Sequence, residues 1–499
     1  MRIAPLAVAV TLFSACPPMG GNDGGSDDAG NDAGCVPQCG SRVCGTESSC
    51  GTSCGSCAQT AVCSAAGQCV APTPFTVTTG GSGDDAAFSV ATDLAGNSYL
   101  TGYFAGAISL GDHQLVSQAP RDVFIAKVSR DGAYLWATAV KGTGIKQAQS
   151  IAVDQSGAVF VSGFFTGQAV FGSQTITATG ARDLFVTKLN ANGEFEWTFT
   201  AGGANAQMAG RVAVSQSGAI YVAGTYDNTV NVGGIMLTSV AQSPDVLVVR
   251  LNADGVPTWA VSAGGSEPDE ARGVAVTSGD GVAIGGTFGG SATFGSQMLT
   301  TQGFAGAFAA KLDAQGVYTW ATGCNSSTLS DTIFGWAMNM DTNQNIYVTG
   351  QVNGTVSCSG KMMQSVGGED AFVVKFNSTG AVDWAKSAGG QNTDVGWTVA
   401  VNSSGVGLVG GEFEGAATFG PHMVTSKGAS DGFAARFDAA GNFTQVHTFG
   451  GALAADVAFG VAWLPWLQPL VVGSFEKTTL FGNATRTSAG GSDFFVWAP

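Results

Sequence analysis

Residues 127–136 read KVSRDGAYLW, and this combination of a basic residue, a glycine and a tryptophan recurs along most of the chain. In each copy the glycine stands four residues before the tryptophan, and the basic residue stands nine before it. A sixth copy keeps Arg436 and Gly441 but has Gln445 in the tryptophan position. A fixed period of this size is typical of a propeller, a solenoid or an array. The tryptophans are Trp136, Trp197, Trp259, Trp320 and Trp384, at spacings of 61, 62, 61 and 64 residues.

Each period contains four short strand patterns. Runs of β-branched and aromatic residues, such as RVAV at 211–214 and YVTG at 347–350, are divided by Gly, Asn and Asp turns. A longer loop with a Phe-Gly pair, as at Phe171-Gly172, separates the second strand from the third. No helical period is sustained outside the N-terminal leader. Because four strands make one blade of a β-propeller, the sequence predicts an all-β propeller of four-stranded blades.

The ends of the repeat predict seven blades over residues 73–499. Six complete units start near residues 80, 141, 202, 264, 325 and 389, and a seventh starts near 450 but lacks its fourth strand. Phe75 lies 61 residues before Trp136, so residues 75–79 can supply that strand from the other end of the chain. We therefore expect a circularly closed ring that leaves no unpaired sheet edge.

The N-terminus indicates export. Met1-Arg2 and the apolar residues 3–13 predict a signal peptide over residues 1–15, too short to span a membrane. LFSAC at 12–16 resembles a bacterial lipobox, which implies that Cys16 is lipidated; cleavage after Ala15 without lipidation is the alternative, because Phe13 departs from the usual pattern. Residues 16–34 then form a lipid-anchored flexible tether. Pro17 after the cysteine resembles the sorting signal of outer membrane lipoproteins, so we expect an outer membrane location, periplasmic or surface-exposed.

A cysteine-rich segment at residues 35–71 predicts a small disulfide module. Eight cysteines behind an export signal favour four disulfides, although zinc is an alternative because two of them have C-x-x-C spacing. Within the propeller region, Cys324 and Cys358 are expected to form a further disulfide, with buried free thiols as the alternative. The eight are Cys35, Cys39, Cys44, Cys50, Cys54, Cys57, Cys63 and Cys69.

The repeat carries a family resemblance. Residues 89–102 and 151–163 approach the pattern VAVDxxGNxYVTG, which resembles the SBBP repeat of secreted bacterial β-propellers. The resemblance covers about residues 75–499. It implies a seven-bladed propeller at the cell surface and implies no reaction, since this family has no shared catalytic motif.

Residues that recur in nearly every blade predict structural roles. An aspartate opens the third strand in six blades and is expected to hold a loop by side-chain to backbone bonds, rather than to bind calcium. The basic residues fall in mid-strand, where an interblade ion pair or a carbonyl contact is expected. The tryptophans are expected to pack between blades. The aspartates are Asp122, Asp183, Asp245, Asp370, Asp431 and Asp493.

Two positions near the start of the first strand differ between blades and predict a ligand site at the mouth of the central channel. The first holds Asp85, Lys146, Gln207, Asp269, Ile333, Asp394 and Asp456. The second holds Phe88, Gln149, Gly210, Arg272, Trp336, Trp397 and Phe459. Aromatic rings beside carboxylates suit a sugar or peptide. The alternative is that the aromatic side chains only plug the channel. The candidate ligand-binding residues are Asp85, Phe88, Asp269, Arg272, Trp336, Asp394, Trp397, Asp456 and Phe459.

The remaining composition narrows the function. A net charge of −16 argues against nucleic acid, whose phosphates require a basic surface. No G-x-S-x-G, H-E-x-x-H or P-loop motif is present, and we expect neither a metal site nor a cofactor. The favoured interpretation is a monomeric, lipid-anchored, non-catalytic binding propeller for a protein or polysaccharide partner. The alternative is an extracellular glycan hydrolase or lyase that uses carboxylates at the channel mouth.

Overall fold

A computed structural model describes residues 62–63, 68–70, 73–452 and 454–499. These residues form β-strands, turns and one short 3-10 helix at Val240–Gln242, so the predicted all-β class is confirmed. None of the described residues forms a helix long and apolar enough to cross a membrane. The described residues divide into two compact units. One comprises Pro74–Pro465 and Pro469–Pro499, and the other comprises the described residues up to Thr73 with Trp466–Gln468.

The larger unit has a propeller-like arrangement of small antiparallel sheets, in which sets of four strands pair in chain order and a small hairpin stands between the second and third strands of a set. Some of these hairpins pair with the edge of the preceding set and extend its sheet. The bounds of the strands, in chain order and sheet by sheet, are Ala86–Thr92, Ser98–Phe104, Asp122–Val128 and Tyr134–Val140; Lys146–Val153, Val159–Phe165, Asp183–Leu189 and Phe195–Ala201; Gln207–Val214, Ile220–Tyr226, Asp245–Leu251 and Pro257–Gly265; Glu270–Val276, Val282–Phe288, Gly306–Leu312 and Tyr318–Ser326; Thr332–Met340, Ile346–Asn353, Asp370–Phe376 and Val382–Gly390; Asp394–Val401, Gly407–Phe413, Asp431–Phe437 and Phe443–Gly450. After them, Val457–Trp463 pairs with Pro469–Phe481, which pairs with Ala484–Ala498, which pairs with Phe75–Thr79.

The expected loop between the second and third strands is instead a small hairpin. Its first four-residue strand buries alternate residues, as in Gln168–Phe171, and its second, Gln174–Thr177, is mostly exposed. The turn between these strands holds Gly172 at a φ of 61°, which an L-side chain rarely adopts. The other hairpins are Ala107–Leu110 with His113–Val116, Thr229–Val232 with Ile235–Thr238, Ser291–Phe294 with Gln297–Thr300, Thr355–Cys358 with Lys361–Gln364, and Ala416–Phe419 with His422–Thr425.

The recurring basic–tryptophan pattern forms the predicted hairpin between the third and fourth strands. Lys127 lies directly opposite Trp136, and the same register holds in the other copies, including Arg436 opposite Gln445. The expectation that the tryptophans pack between blades is confirmed. The Trp136 indole donates to the main-chain oxygen of Ala191 at 3.0 Å, and a Cβ at Gly193 would lie 2.7 Å from its ring. The turn glycine is therefore the surface on which the tryptophan of the preceding sheet packs.

The Gly-Gly pairs bring successive sheets together in a second way. A Cβ at Gly264 would lie 2.4 Å from the Asp245 carboxylate of its own sheet. A Cβ at Gly265 would lie 1.9 Å from the main-chain oxygen of Ser291 in the next hairpin. Neither approach leaves room for a side chain. The apolar cores accordingly lie between neighbouring sheets; one combines Leu184 and Val186 with Ile220, Leu247 and other residues of the next sheet.

The aspartates that open the third strand hold loops, as expected. Asp183 accepts a hydrogen bond from the Thr179 main-chain N–H at 2.9 Å, and Asp370 accepts one from Val366 at 3.0 Å. The expectation of repeated interblade ion pairs for the basic residues is wrong. Lys188 pairs with Glu196 and Lys375 with Asp383, each on the following strand of its own sheet, at 2.9 and 3.2 Å. Each ammonium also lies 5.9 Å from the centre of an aromatic ring of the same sheet.

Cys324 and Cys358 form the expected disulfide, which joins facing residues of two paired strands. Of the cysteine-rich segment, only Cys63 and Cys69 lie within the described residues, on the strands Val62–Cys63 and Cys69–Val70, where they face each other. Cys69 is disulfide-bonded. Cys16 and the cysteines from Cys35 to Cys57 lie outside the described residues, as do the predicted signal peptide and tether.

Candidate functional site

The second of the two variable positions lines one cavity of about 160 Å³. All seven of its residues contact this space, as the sequence predicted, and one further residue, Arg211, joins them. The cavity is smaller than the 300–1,000 Å³ of a typical small-molecule site. It has room for one group of a larger ligand. The lining residues are Phe88, Gln149, Gly210, Arg211, Arg272, Trp336, Trp397 and Phe459.

Aromatic rings form a continuous arc along one side of the cavity. Trp336 and Trp397 have ring centroids 5.4 Å apart, Trp397 and Phe459 are 6.4 Å apart, and Phe459 and Phe88 are 4.9 Å apart. All four side chains are half-buried. Beyond Trp336 the arc continues through Phe334, stacked at 5.6 Å, to Phe304, which is 74% exposed. The arc therefore leads from the cavity to the protein surface.

Hydrogen bonds fix the orientation of the two tryptophans. The Trp336 indole donates to Gln351 Oε1, and the Trp397 indole donates to Glu412 Oε1, each at 3.0 Å. Each acceptor lies on the second strand of the sheet to which its tryptophan belongs. Glu412 is itself held by the Ser430 hydroxyl at 2.9 Å. With each indole N–H satisfied, the two rings are held in fixed orientations beside the cavity.

Cationic and amide side chains face the aromatic arc. The Arg272 guanidinium lies 5.3 Å from the centroid of Trp336 and donates to Glu270 Oε2. Arg211 donates from Nη1 to the main-chain oxygen of Gln149 and from Nε to that of Arg272 at 3.3 Å. The cavity thus has a stacking side and a hydrogen-bond-donating side, an arrangement that suits a polar ring compound.

Sequence reasoning missed Arg211, although the repeat contained a signal for it. Its position directly follows the variable one, and the other copies place small residues there. The arginine therefore breaks the repeat as clearly as the tryptophans do. The small residues are Ser89, Ser150, Gly273, Ala337, Thr398 and Gly460.

The four candidate aspartates at the first variable position do not reach the cavity. Asp85, Asp269, Asp394 and Asp456 are fully buried. Each accepts main-chain N–H bonds from two separate segments; Asp269, for example, accepts from Gly265 at 2.7 Å and from Gly289 at 3.1 Å. The expectation that they ring the opening beside the aromatic side chains was wrong. The Gly-Gly turn and the small hairpin both present free N–H groups here, and a buried carboxylate satisfies them.

In two other sheets, the first variable position holds a lysine or an isoleucine instead of an aspartate. Lys146 is buried, with its ammonium 3.1 Å from Asp122 and hydrogen-bonded to the main-chain oxygens of Thr143 and Gly144. Ile333 is buried as well. Variation here therefore follows local packing. Among the described residues, no group of three or more His, Cys, Asp or Glu side chains could hold a metal ion.

A larger cavity of about 500 Å³ lies at the other end of the first strands. It is lined by turn residues such as Asp93, Leu94 and Asp154, together with Lys127 and Trp463. Most of these occupy repeat positions with the same local role in each sheet. The smaller cavity is the better candidate because its residues depart from the repeat.

Comparisons with known proteins give only distant likenesses. No protein-family model matches the chain, and no curated protein matches it. The structure of Sqt1 from Chaetomium thermophilum is 9% identical, with a TM-score of 0.40, over 80% of this chain and 96% of that one. An ulvan lyase described as a new polysaccharide lyase family is 10% identical, with a TM-score of 0.39, over 83% and 97%. At these values the likenesses say nothing about activity.

The buried aspartates make stability depend on pH. Burial raises the pKa of Asp85 to about 6 and that of Asp269, Asp394 and Asp456 to about 7. A carboxyl whose pKa is higher in the folded than in the unfolded state stabilises the fold at low pH and loses that contribution as pH rises. We therefore expect the urea midpoint of unfolding to fall between pH 5 and pH 8 at constant ionic strength.

A matched variant separates the opposing contribution of a histidine. Burial lowers the pKa of His447, so this side chain favours the fold as pH rises. His447→Gln should therefore steepen the fall of the midpoint. A midpoint that rises from pH 5 to pH 8 in both proteins would show that the aspartates are ionised in the fold.

Proposed function

We propose that this chain is a closed seven-bladed β-propeller whose channel mouth binds a polysaccharide, and that it acts by binding alone, attached to the cell envelope by lipid at Cys16. The resemblance to SBBP-repeat propellers agrees with this assignment. The observation that carries the proposal is that the residues of one variable repeat position converge on a single cavity and form an aromatic arc there.

Strand pairing between the two ends of the chain supports a closed ring. Phe75–Thr79 runs antiparallel to Ala484–Ala498, with Thr76 opposite Trp497. The junction repeats a contact that the other sheets make within themselves: a Cβ at Gly80 would lie 2.1 Å from the Asp493 carboxylate, as a Cβ at Gly264 would lie 2.4 Å from that of Asp245. The Thr92 hydroxyl also donates to the main-chain oxygen of Trp463 at 3.0 Å, which joins the first and last sheets.

The two exceptions at the tryptophan position also follow from this closure. Phe75 occupies the tryptophan position of the last sheet, and a Cβ at Gly132 would lie 3.3 Å from its ring. Gln445 would pack on the turn between the third and fourth strands of that same sheet. Because those strands are Ala484–Ala498 and Phe75–Thr79, which are far apart in the sequence, no turn joins them. A tryptophan at position 445 would have no glycine turn to cover.

Ring stacking at the mouth favours a carbohydrate ligand. Half-buried rings present flat apolar faces, and Gln149 and the arginines supply hydrogen bonds for hydroxyl or acidic groups. The exposed Phe304 extends the arc beyond the cavity, which suits a chain longer than one sugar.

The lining chemistry favours binding over catalysis. Glycoside hydrolysis requires two carboxyl groups on either side of the scissile bond. None of the residues that line the cavity is acidic, and the aspartates predicted there are buried on main-chain N–H groups. The alternative of a hydrolase or lyase that uses carboxylates at this mouth therefore finds none among the residues that line the cavity.

Closure can be tested by deletion. Removing residues 72–79 should lower the melting temperature or cause aggregation, because Ala484–Ala498 loses its partner and exposes an edge. The control is deletion of the eight residues 22–29 in the predicted tether, which should leave the melting temperature unchanged. Equal stability of the two deletions would mean that the ring closes without Phe75–Thr79.

The binding site can be tested with its two tryptophans. Trp336→Ala combined with Trp397→Ala should abolish binding on a glycan and peptidoglycan array with little loss of stability, because other sheets have Gln149, Gly210 or Arg272 at this position and the fold does not require an aromatic ring there. The control Trp136→Ala should keep binding and lower stability, since it removes a contact between sheets. If the mouth residues only plug the channel, each truncation should cost about 3–5 kcal/mol and no glycan should bind.

The lipid anchor can be tested by fractionation. Cys16→Ser should move the protein from the membrane fraction to the soluble fraction, since the acylated cysteine would be its only lipid attachment. Retention of the variant in the membrane fraction would contradict lipidation at this residue. Cys324→Ser is the control, because that cysteine lies in a disulfide and should not affect partitioning.

A further inference from the structure

Arg211 is a cation in the central passage for which the described residues provide no carboxylate. Its hydrogen bonds go to two main-chain oxygens, those of Gln149 and Arg272. Other basic residues of the chain, such as Lys146 and Lys375, have an aspartate within 3.2 Å. Arg211 is half-buried, and a partly desolvated cation without a counter-charge costs stability, so its presence requires an explanation.

The electrostatic surroundings of Arg211 add to this cost. Burial, and then the charge of Arg272, lower the pKa of Arg211 to about 10, so the guanidinium is still charged at neutral pH. Arg272 shares its charge with Glu270, whereas Arg211 has only neutral carbonyl partners. A bound anion would relieve both the burial cost and the repulsion between the two arginines.

Arg211 also lies where a ligand group could reach it. It lines the cavity at the channel mouth and a second cavity of about 160 Å³ deeper in the passage. Phe88 and Phe459 line both cavities as well. The guanidinium therefore lies at the inner end of the mouth, beneath the aromatic arc. A sugar stacked on Trp336 or Trp397 would direct a substituent towards it.

The repeat provides the counter-example within the same chain. The two preceding sheets place Ser89 and Ser150 in this position, and each hydroxyl accepts a main-chain N–H bond from the following sheet, from Ile151 and Val212 respectively. The fold is therefore satisfied by a small residue here. An arginine of this length is not needed for packing between sheets.

We propose that Arg211, together with Arg272, binds the oxyanion of an acidic saccharide, so that the polysaccharide partner carries uronate carboxylates or sulfate esters. This inference rests on the proposed function of the channel mouth. The planar guanidinium offers paired N–H donors that match such an oxyanion. The charge of the ligand, rather than its hydroxyl pattern alone, then determines selection at this site.

The test uses the full-length protein and three matched probes: oligogalacturonate, its fully methyl-esterified form, and a sulfated galactan oligosaccharide. Arg211→Ser, which installs the residue found in the two preceding sheets, should weaken binding of an acidic probe about tenfold or more, since it removes charged hydrogen bonds. The ester should bind weakly to both proteins. Arg130→Gln, at a distant exposed turn, is the control for net charge and should bind like the unchanged protein.

Each outcome separates this inference from the proposed function. Binding of oligogalacturonate alone assigns the carboxylate, and binding of the sulfated probe alone assigns the sulfate. Equal binding of acid and ester, unaffected by Arg211→Ser, would overturn the anion site and leave a neutral polysaccharide site. Binding of none of the probes, by either protein, would overturn both proposals.

Thermal unfolding gives a readout that does not depend on the ligand. If Arg211 serves a ligand, Arg211→Ser should leave the melting temperature unchanged or raise it, because a half-buried cation without a counter-charge is removed. The acidic probe should raise the melting temperature of the unchanged protein and not that of the variant. A marked loss of stability in Arg211→Ser would show that the arginine is a structural brace.

Discussion

Close approach of glycine backbone to a neighbouring sheet is the constraint on which this structure depends. Each tryptophan packs on a turn glycine of the next sheet, and each Gly-Gly pair touches an aspartate on one side and a hairpin carbonyl on the other. A side chain at these glycines would push the sheets apart. Since every apolar core lies between two sheets, the spacing that the glycines permit determines how much surface each core can bury.

The same constraint explains why so few positions are free to vary for function. Strand residues pack against neighbouring sheets, and the repeated aspartates and turn residues satisfy main-chain groups. The second variable position of the first strand is different because its side chains line one cavity, to which each sheet contributes a residue. Variation there changes the lining of the cavity and leaves the docking of the sheets intact. The aromatic arc and the arginines occupy this place.

This protein has two kinds of ionisable group that are withdrawn from solvent, the fully buried aspartates and the half-buried Arg211. The aspartates at the Gly-Gly turns accept main-chain N–H bonds from two segments, although burial raises their pKa to about 6 or 7. Arg211 has neutral carbonyl partners and a second arginine nearby. The first kind completes the backbone hydrogen bonding of the sheets. The second leaves a positive charge that the described protein does not neutralise, and this difference separates structural polar groups from a candidate binding group.

The sequence by itself determined the repeat length, the four strands, the hairpin register and the expected Cys324–Cys358 disulfide, because these depend on local alternation, turns and spacing. It also identified the position occupied by Phe88, Trp336, Trp397 and Phe459. Only the tertiary structure decided which polar side chains reach the cavity. Asp269 and Arg272 stand three residues apart, yet one lies buried on the N–H groups of two loops and the other faces the passage. That outcome depends on the Gly-Gly turn and the hairpin meeting in space, and no local pattern of residues encodes such a meeting.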